Sequence, residues 1–278
     1  MRFGHTIEDS RKKYPEITDE ILNSLQKWAN DLGLPNIPEE QLALFAHSCH
    51  FDMEATRRCM KVYYKIRATS PEFFNSRNSN SLQFSLKTLE NTILPKLDQN
   101  GNRIILQRIA DPRPSQFIMN DSIKLLLMSI DASLYMDGCS EGYIFIFDMI
   151  NIRFGHLFKL SINSFRKLFE YIQEGMPVRL KGMYIVNANW IVDKMMVLIK
   201  PFIKQELFEI IHIYTDDISD VYSRISPEYL PKDFGGELDC IANLHKANCM
   251  TLDQLQNYFS EEEALFRNYS PNNVKTAS

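Results

Sequence analysis

The stretch from Met183 to Tyr214, MYIVNANWIVDKMMVLIKPFIKQELFEIIHIY, decides how the rest of the chain is read. It divides into a strand, an apolar helix, a proline break, an amphipathic helix and a second strand. From Trp190 to Ile203 the charges are Asp193, Lys194 and Lys200, with Lys204 just beyond, and Asp193, Lys200 and Lys204 fall on or near one helical face. The rest is Trp, Ile, Val, Met, Leu and Phe. A helix apolar nearly all round is deeply buried or has a second apolar neighbour, which can be a bound ligand or a membrane.

Upstream of this stretch the pattern alternates between strand and helix. Arg103–Ile109 and Tyr143–Met149 read as strands, and Asp121–Met136 and Ile162–Gln173 as helices, while Met183–Val186 and Glu209–Tyr214 add two more strands. Alternation of this kind implies a mainly parallel sheet covered by helices, and the run YIFIF at 143–147 is apolar on both faces, as such a sheet requires. Residues 1–75 read as a separate helical module of three helices. Thr18 caps the first, Pro38 with Glu39 and Glu40 opens the second, Asp52 caps the third, and Ser70-Pro71 closes it. In the third helix Ala55, Cys59, Val62 and Ile66 form the expected buried stripe, with Arg57, Arg58, Lys61 and Lys65 on the solvated side. The polar run NSRNSNS at 75–81 reads as a linker, 82–240 as the α/β domain, and 241–278 as a last amphipathic helix with a frayed tail from Pro271. The fold class is therefore α/β, a helical module followed by an open, mainly parallel sheet.

Apolar residues make up 45% and charged residues 24% of the 278, which excludes a disordered or collagen-like chain. A net charge of −4 argues against wholesale nucleic-acid binding. The five cysteines, Cys49, Cys59, Cys139, Cys240 and Cys249, form no CxxC pair and no zinc spacing, so free thiols in a reducing cytoplasm are expected. The first twenty residues lack the apolar core of a signal peptide, and no uninterrupted apolar run reaches about 18 residues. A cytoplasmic protein, at most transiently peripheral to membranes, is expected.

Catalytic motifs are few. Gly138-Cys139-Ser140-Glu141-Gly142 matches G-x-S-x-G, but a nucleophile elbow needs a strand before the serine and a helix after it, and here a helix precedes and a strand follows. The run reads as a turn. No phosphate loop, dinucleotide fingerprint or zincin motif occurs. His156 and His212 have no partner at motif spacing and read as hydrogen-bonded structural residues. Asp148 ends the YIFIF strand, where open α/β sheets place functional groups; a helix cap or a partner for Arg153 is the simpler reading. Neither a cofactor nor a metal is expected, and no enzymatic activity.

Five segments together resemble the CRAL-TRIO lipid-binding family, of the tocopherol transfer protein and cellular retinaldehyde-binding protein type. They are the helical module ending in Ser70-Pro71-Glu72-Phe73-Phe74, GYIFIFDM at 142–149 with Phe154 and His156, VRLKGMYIVNA at 178–188, IKPFI at 199–203 and LPKDFGG at 230–236. The resemblance runs in order along nearly the whole chain. It implies one apolar cavity enclosed by the sheet and its helices, and a movable gate formed by the helix after Asn189. Pro201 removes a backbone donor, which makes Lys200-Pro201 the expected hinge.

By the same resemblance, Leu125, Leu126 and Ser129 should line the cavity from one helix, and Tyr143, Phe145 and Phe147 from the strand. Ile172, Met176, Met183 and Ile185 would continue the wall, and Ile191, Val192, Met195, Leu198 and Ile199 would close it. Tyr143 and Ser129 would supply polar contacts to a ligand head group. The family's basic phosphoinositide cleft matches here at Arg179 and Lys181, but Glu206 and Ile210 occupy two of its other positions, and a carboxylate beside a phosphate opposes binding. Lys200 and Lys204 would add attraction to an anionic membrane, about 1 kcal/mol each. The expected function is a monomeric, non-enzymatic carrier of one hydrophobic molecule, a retinoid, tocopherol, carotenoid or other isoprenoid, that exchanges it at membranes. A phosphatidylinositol or phosphoinositide transfer protein is the first alternative. A scaffold whose cavity is filled by its own side chains is the second, and a hydrolase using Ser140 the third.

Overall fold

The computed structural model describes residues 2–215, 218–267 and 269, so the expectation of a frayed tail from Pro271 lies outside the described residues. The N-terminal part contains α1 (Ile7–Lys13), α2 (Asp19–Leu32), α3 (Glu39–Ser48) and α4 (Met53–Thr69), followed by the short helices α5 (Pro71–Phe74), α6 (Ser79–Leu82) and α7 (Ser85–Thr88). The three expected helices correspond to α2, α3 and α4, and the caps lie where the side chains require them: Thr18 accepts from Ile21 N and Asp52 from Ala55 N. Helix α1, capped by the reciprocal Thr6 and Asp9 bonds, is an addition.

The sheet comprises β1 (Leu89–Ile93), β2 (Asn102–Ile109), β3 (Gly142–Asp148), β4 (Leu180–Val186) and β5 (Ile211–Ile213) in spatial order β1-β2-β3-β4-β5. Strand β1 pairs antiparallel with β2, and the other pairings are parallel. The crossovers carry α8 (Met119–Asp137), α9 (Ile162–Glu170) and α10 (Trp190–Ile199) with the short α11 (Gln205–Phe208). Because the parallel strands advance in one direction across the sheet and such crossovers are right-handed, the crossover helices gather on one face. On that face Ile105, Phe145 and Met183 join one core cluster with residues of α8 and α9. On the other, Ile104, Leu106, Ile144, Ile146 and Val186 pack against Val221, Ile225, Leu230, Phe234 and Leu238. YIFIF is apolar on both faces because both are covered.

Helices α12 (Ile241–Gln254) and α13 (Gln256–Arg267) return to the start of the domain. His245 Nδ1 accepts from Asn91 N at 3.2 Å and Asn248 Nδ2 donates to Asn91 O at 2.9 Å, so α12 satisfies backbone groups along the outer edge of β1. The 75–81 run differs from a plain linker: it carries Arg77, which is 3% exposed, because that guanidinium bonds Asp131 of α8 and Glu262 of α13. Ser140 lies between α8 and β3, helix before and strand after. Among the described residues no helix is long and apolar enough to cross a membrane.

Candidate functional site

Between the sheet and its crossover helices lies a cavity of about 170 Å³. Its floor is the C-terminal half of the parallel strands, with Gln107 and Ile109 of β2, Phe147 and Asp148 of β3, and Met183 and Ile185 of β4. Open α/β sheets bind ligands at this end. One wall is α9, whose Phe165, Leu168 and Phe169, with Ile172 just beyond its end, recur at the i, i+3, i+4, i+7 spacing of a single face. Ser122, Ile123 and Leu126 come from α8.

The roof is α10. Asn189 caps it by accepting from Ile191 N at 2.9 Å, and Val192, Met195, Met196 and Ile199 face the cavity. Its opposite side carries exposed apolar residues, Trp190 at 57% and Val197 at 71%, beside the exposed charges of Asp193 and Lys194. Trp190 stacks on exposed Phe154 at 5.7 Å between ring centroids, and Phe154 meets exposed Phe158 edge-on at 5.2 Å. The excess apolar surface of the 183–214 stretch thus divides between a cavity and solvent. Beyond α10, Lys200-Pro201-Phe202 forms a tight 3-10 turn, held by Gln173, which donates to Phe202 O at 3.0 Å and accepts from Lys204 N at 2.6 Å. Amphipathic helix after the break is only the four residues of α11.

Of the expected wall, the structure brings together Leu126, Phe147, Ile172, Met183, Ile185, Val192, Met195 and Ile199. It places the remainder elsewhere. Leu125 and Ser129 lie on the opposite side of α8, Leu125 packed with α12 and α13 residues and Ser129 receiving bonds from Asn91 and Asn248. Tyr143 is at the N-terminal end of β3, its hydroxyl 3.0 Å from Ser133 Oγ. Neither of the expected polar contacts therefore faces the cavity. Phe145 and Met176 are buried in the core beyond the wall, Ile191 is buried off the cavity, and Leu198 is 38% exposed. The polar groups at the cavity are instead Gln107, Arg108, Ser122, Asp148 and His156. Asp148 accepts from Ile150 N at 3.0 Å and Asn187 Nδ2 at 2.7 Å, while Arg153, its expected partner, bonds the Ile150 and Ile152 carbonyls. Desolvation raises the Asp148 carboxyl above the usual range.

Arg179 and Lys181 flank the start of β4, ahead of Met183 and Ile185, the residues of that strand that line the cavity. Arg179 Nε donates to His47 O at 2.9 Å. Lys181 is exposed, Lys200 lies over the Phe208 ring, and Lys204 pairs with Glu174 at 2.8 Å on the surface. Burial, and then the Arg179 charge, push the His47 imidazole down to about 3, so it is neutral when folded. The unfolded chain takes up that proton near pH 6.5, so this contribution is complete above that pH and declines as pH falls toward 3. The loss is up to about 1.4 kcal/mol per pH unit within that window. Urea midpoints of the wild type should fall more steeply from pH 7 to 5 than those of His47→Gln; parallel slopes would remove His47 as the source.

A mainly parallel sheet whose crossover helices gather on one face, with an apolar cavity between, has the geometry of a site for a hydrophobic ligand. The chain belongs to the CRAL-TRIO lipid-binding family: the CRAL/TRIO domain profile matches residues 87–236. A second profile, described as the Pinta-like UBA domain, matches residues 14–84. Clavesin-2 of Mus musculus is 24% identical over 242 residues, covering 84% of this chain and 74% of that protein. Clavesin-1 of Rattus norvegicus is also 24% identical, covering 84% and 68%. The crystal structure of Sfh5 superposes with a TM-score of 0.52 at 14% identity, covering 94% of this chain and all of that one, a likeness of fold.

Proposed function

We propose that this protein is a non-enzymatic cytoplasmic carrier that holds one hydrophobic molecule, of retinoid, tocopherol, carotenoid or other isoprenoid type, and exchanges it at membranes when α10 opens about Lys200-Pro201. The observation that carries this reading is the roof helix: its inner face closes an apolar cavity and its outer face continues into an exposed aromatic patch. A helix serving only as core has no use for that outer face. The open volume of about 170 Å³ weighs against a scaffold packed solid by its own side chains. The phosphoinositide alternative rests on Arg179 and Lys181, which are not among the cavity-lining residues and lack basic companions at Glu206 and Ile210; such a lipid would act as a surface regulator rather than cargo.

The direct test is native mass spectrometry with organic extraction of protein purified from its own tissue. A stoichiometric hydrophobic molecule is expected, and its absence together with no uptake from loaded liposomes would sink the carrier reading. A second check uses Val192→Phe, which pushes a ring into the cavity at an overpacking cost of about 1–3 kcal/mol. It should weaken binding of the neutral dye N-phenyl-1-naphthylamine at least about tenfold while the protein still melts cooperatively. Undiminished dye binding would place the ligand elsewhere.

A further inference from the structure

The polar residues lining the otherwise apolar cavity are Gln107, Arg108, Ser122, Asp148 and His156. Most of these groups are already engaged. Gln107 exchanges bonds with Ser122, its amide donating to the carbonyl at 2.9 Å and accepting the hydroxyl at 3.2 Å. Arg108 bonds Glu90 and, at 2.9 Å, Asp233, with Asp148 a further 3.8 Å contact. Asp148 is held by Asn187 and the Ile150 amide.

His156 is the exception. Its ring is 1% exposed and stands edge-on to Phe117, another lining residue, at 5.5 Å. Nδ1 lies 2.9 Å from the backbone nitrogen of Arg153 and 3.1 Å from its carbonyl oxygen. The N–H can only donate, and a proton on Nδ1 would meet it head-on, so we assign Nδ1 as the acceptor and place the proton of the neutral ring on Nε2. Desolvation, the first cause, keeps the ring below its usual pKa and hence neutral. Nε2 itself is buried with no hydrogen-bond partner. Native interiors rarely leave such a donor unmet, and an orphan in the wall of a ligand cavity is matched when the ligand supplies the acceptor.

We infer that the Nε2–H of His156 orients the ligand, and that the ligand is a neutral apolar molecule carrying an oxygen acceptor, an alcohol, aldehyde, ketone or ester, at the end that meets His156. The inference rests on the carrier reading and narrows it. Charge excludes the acidic relatives of such molecules. Among the described lining residues Arg108 is the one cation, and Glu90, Asp148 and Asp233 surround it, so a carboxylate or phosphate would enter a low-dielectric site with negative charge in excess.

The test is displacement of N-phenyl-1-naphthylamine from the full chain by three ligands of one carbon skeleton: farnesol, the hydrocarbon farnesene and farnesoic acid. Wild type should bind the alcohol at least about fivefold more tightly than the hydrocarbon, as one net hydrogen bond supplies, and the acid at least about tenfold more weakly than the alcohol. In His156→Asn the amide oxygen takes the place of Nδ1 and keeps the Arg153 cap, but nothing reaches the position of Nε2. The alcohol should then fall to within about twofold of the hydrocarbon, whose own affinity is unchanged. His156→Gln, which returns an amide donor near the Nε2 position, should recover part of the preference. An alcohol preference absent from wild type, or intact in His156→Asn, overturns the inference while leaving the carrier reading standing. Failure of all three ligands to displace the dye overturns both.

Discussion

Arg67→Met is expected to destabilise the protein by about 3–5 kcal/mol, the cost of leaving a buried ion pair without one partner. For a chain of this size that corresponds to a fall in melting temperature of roughly 5–9 °C. The reason is a closed ring of four buried charges. Arg67 of α4 contacts Asp131 of α8 at 2.5 Å and Glu262 of α13 at 2.7 Å, and Arg77 contacts the same two acids at 2.9 and 2.6 Å. Tyr171 accepts a further bond from Arg67 at 2.8 Å. All four charged side chains are almost wholly out of solvent, so removing one guanidinium leaves two carboxylates facing the remaining arginine in a low dielectric. The ring also joins the helical module, the lipid-binding domain and the C-terminal helix. Arg67→Lys should recover little, because an ammonium cannot bridge two acids with the fork of a guanidinium. Urea denaturation measures both variants. A loss below about 1 kcal/mol for Arg67→Met would mean that the acids find other partners and that the ring is not what joins these three parts.

The ring also shows what the amino-acid order conceals. Arg77 lies in NSRNSNS, where composition argues for a linker, and nothing local distinguishes one arginine destined for burial from one in solvent. Strands β3 and β4 and the roof helix are legible because each is apolar beyond what one exposed face permits, a property of the segment itself. Strand β1 escaped that reading for the converse reason: LENTI is short, half polar and at the edge of the sheet, and its outer amide and carbonyl groups are satisfied by His245 and Asn248, which lie more than 150 residues away. For α8 the difficulty was phase. Most of its length is buried on every side, so hydrophobic period says that the helix is inside and says nothing about which face meets the cavity. Leu125 and Ser129 point to α12 and β1, whereas Ser122 and Leu126, one step round the helix, meet the cavity. The local bond of His156 was readable as structural. Its second nitrogen acquires meaning only once tertiary packing sets it against the cavity.

Phe158→Asp combined with Trp190→Asp should slow delivery of bound dye to phospholipid vesicles at least about 100-fold while moving the melting temperature by less than about 2 °C. The two rings are 76% and 57% exposed, so the folded protein gains little from them and loses little without them. At a bilayer they count differently. An aromatic ring carries 150–250 Å² of surface, and burying even half of it contributes about 2–3 kcal/mol at 25 cal/mol per Å². Two such rings supply about 4–6 kcal/mol of membrane affinity, which two carboxylates abolish. The same geometry separates two residues of α10 that the helical pattern alone treats alike. Met195 lines the cavity and Leu198 is partly exposed, so Met195→Asp should lose dye binding while Leu198→Asp should lose mainly vesicle transfer. If the ring substitutions lowered melting and transfer in step, the outer face of α10 would be ordinary packing surface and the gate would have no membrane side. If transfer fell while dye binding in solution stayed intact, the helix would be acting on both of its apolar faces, which is the arrangement that its excess of apolar residues demands.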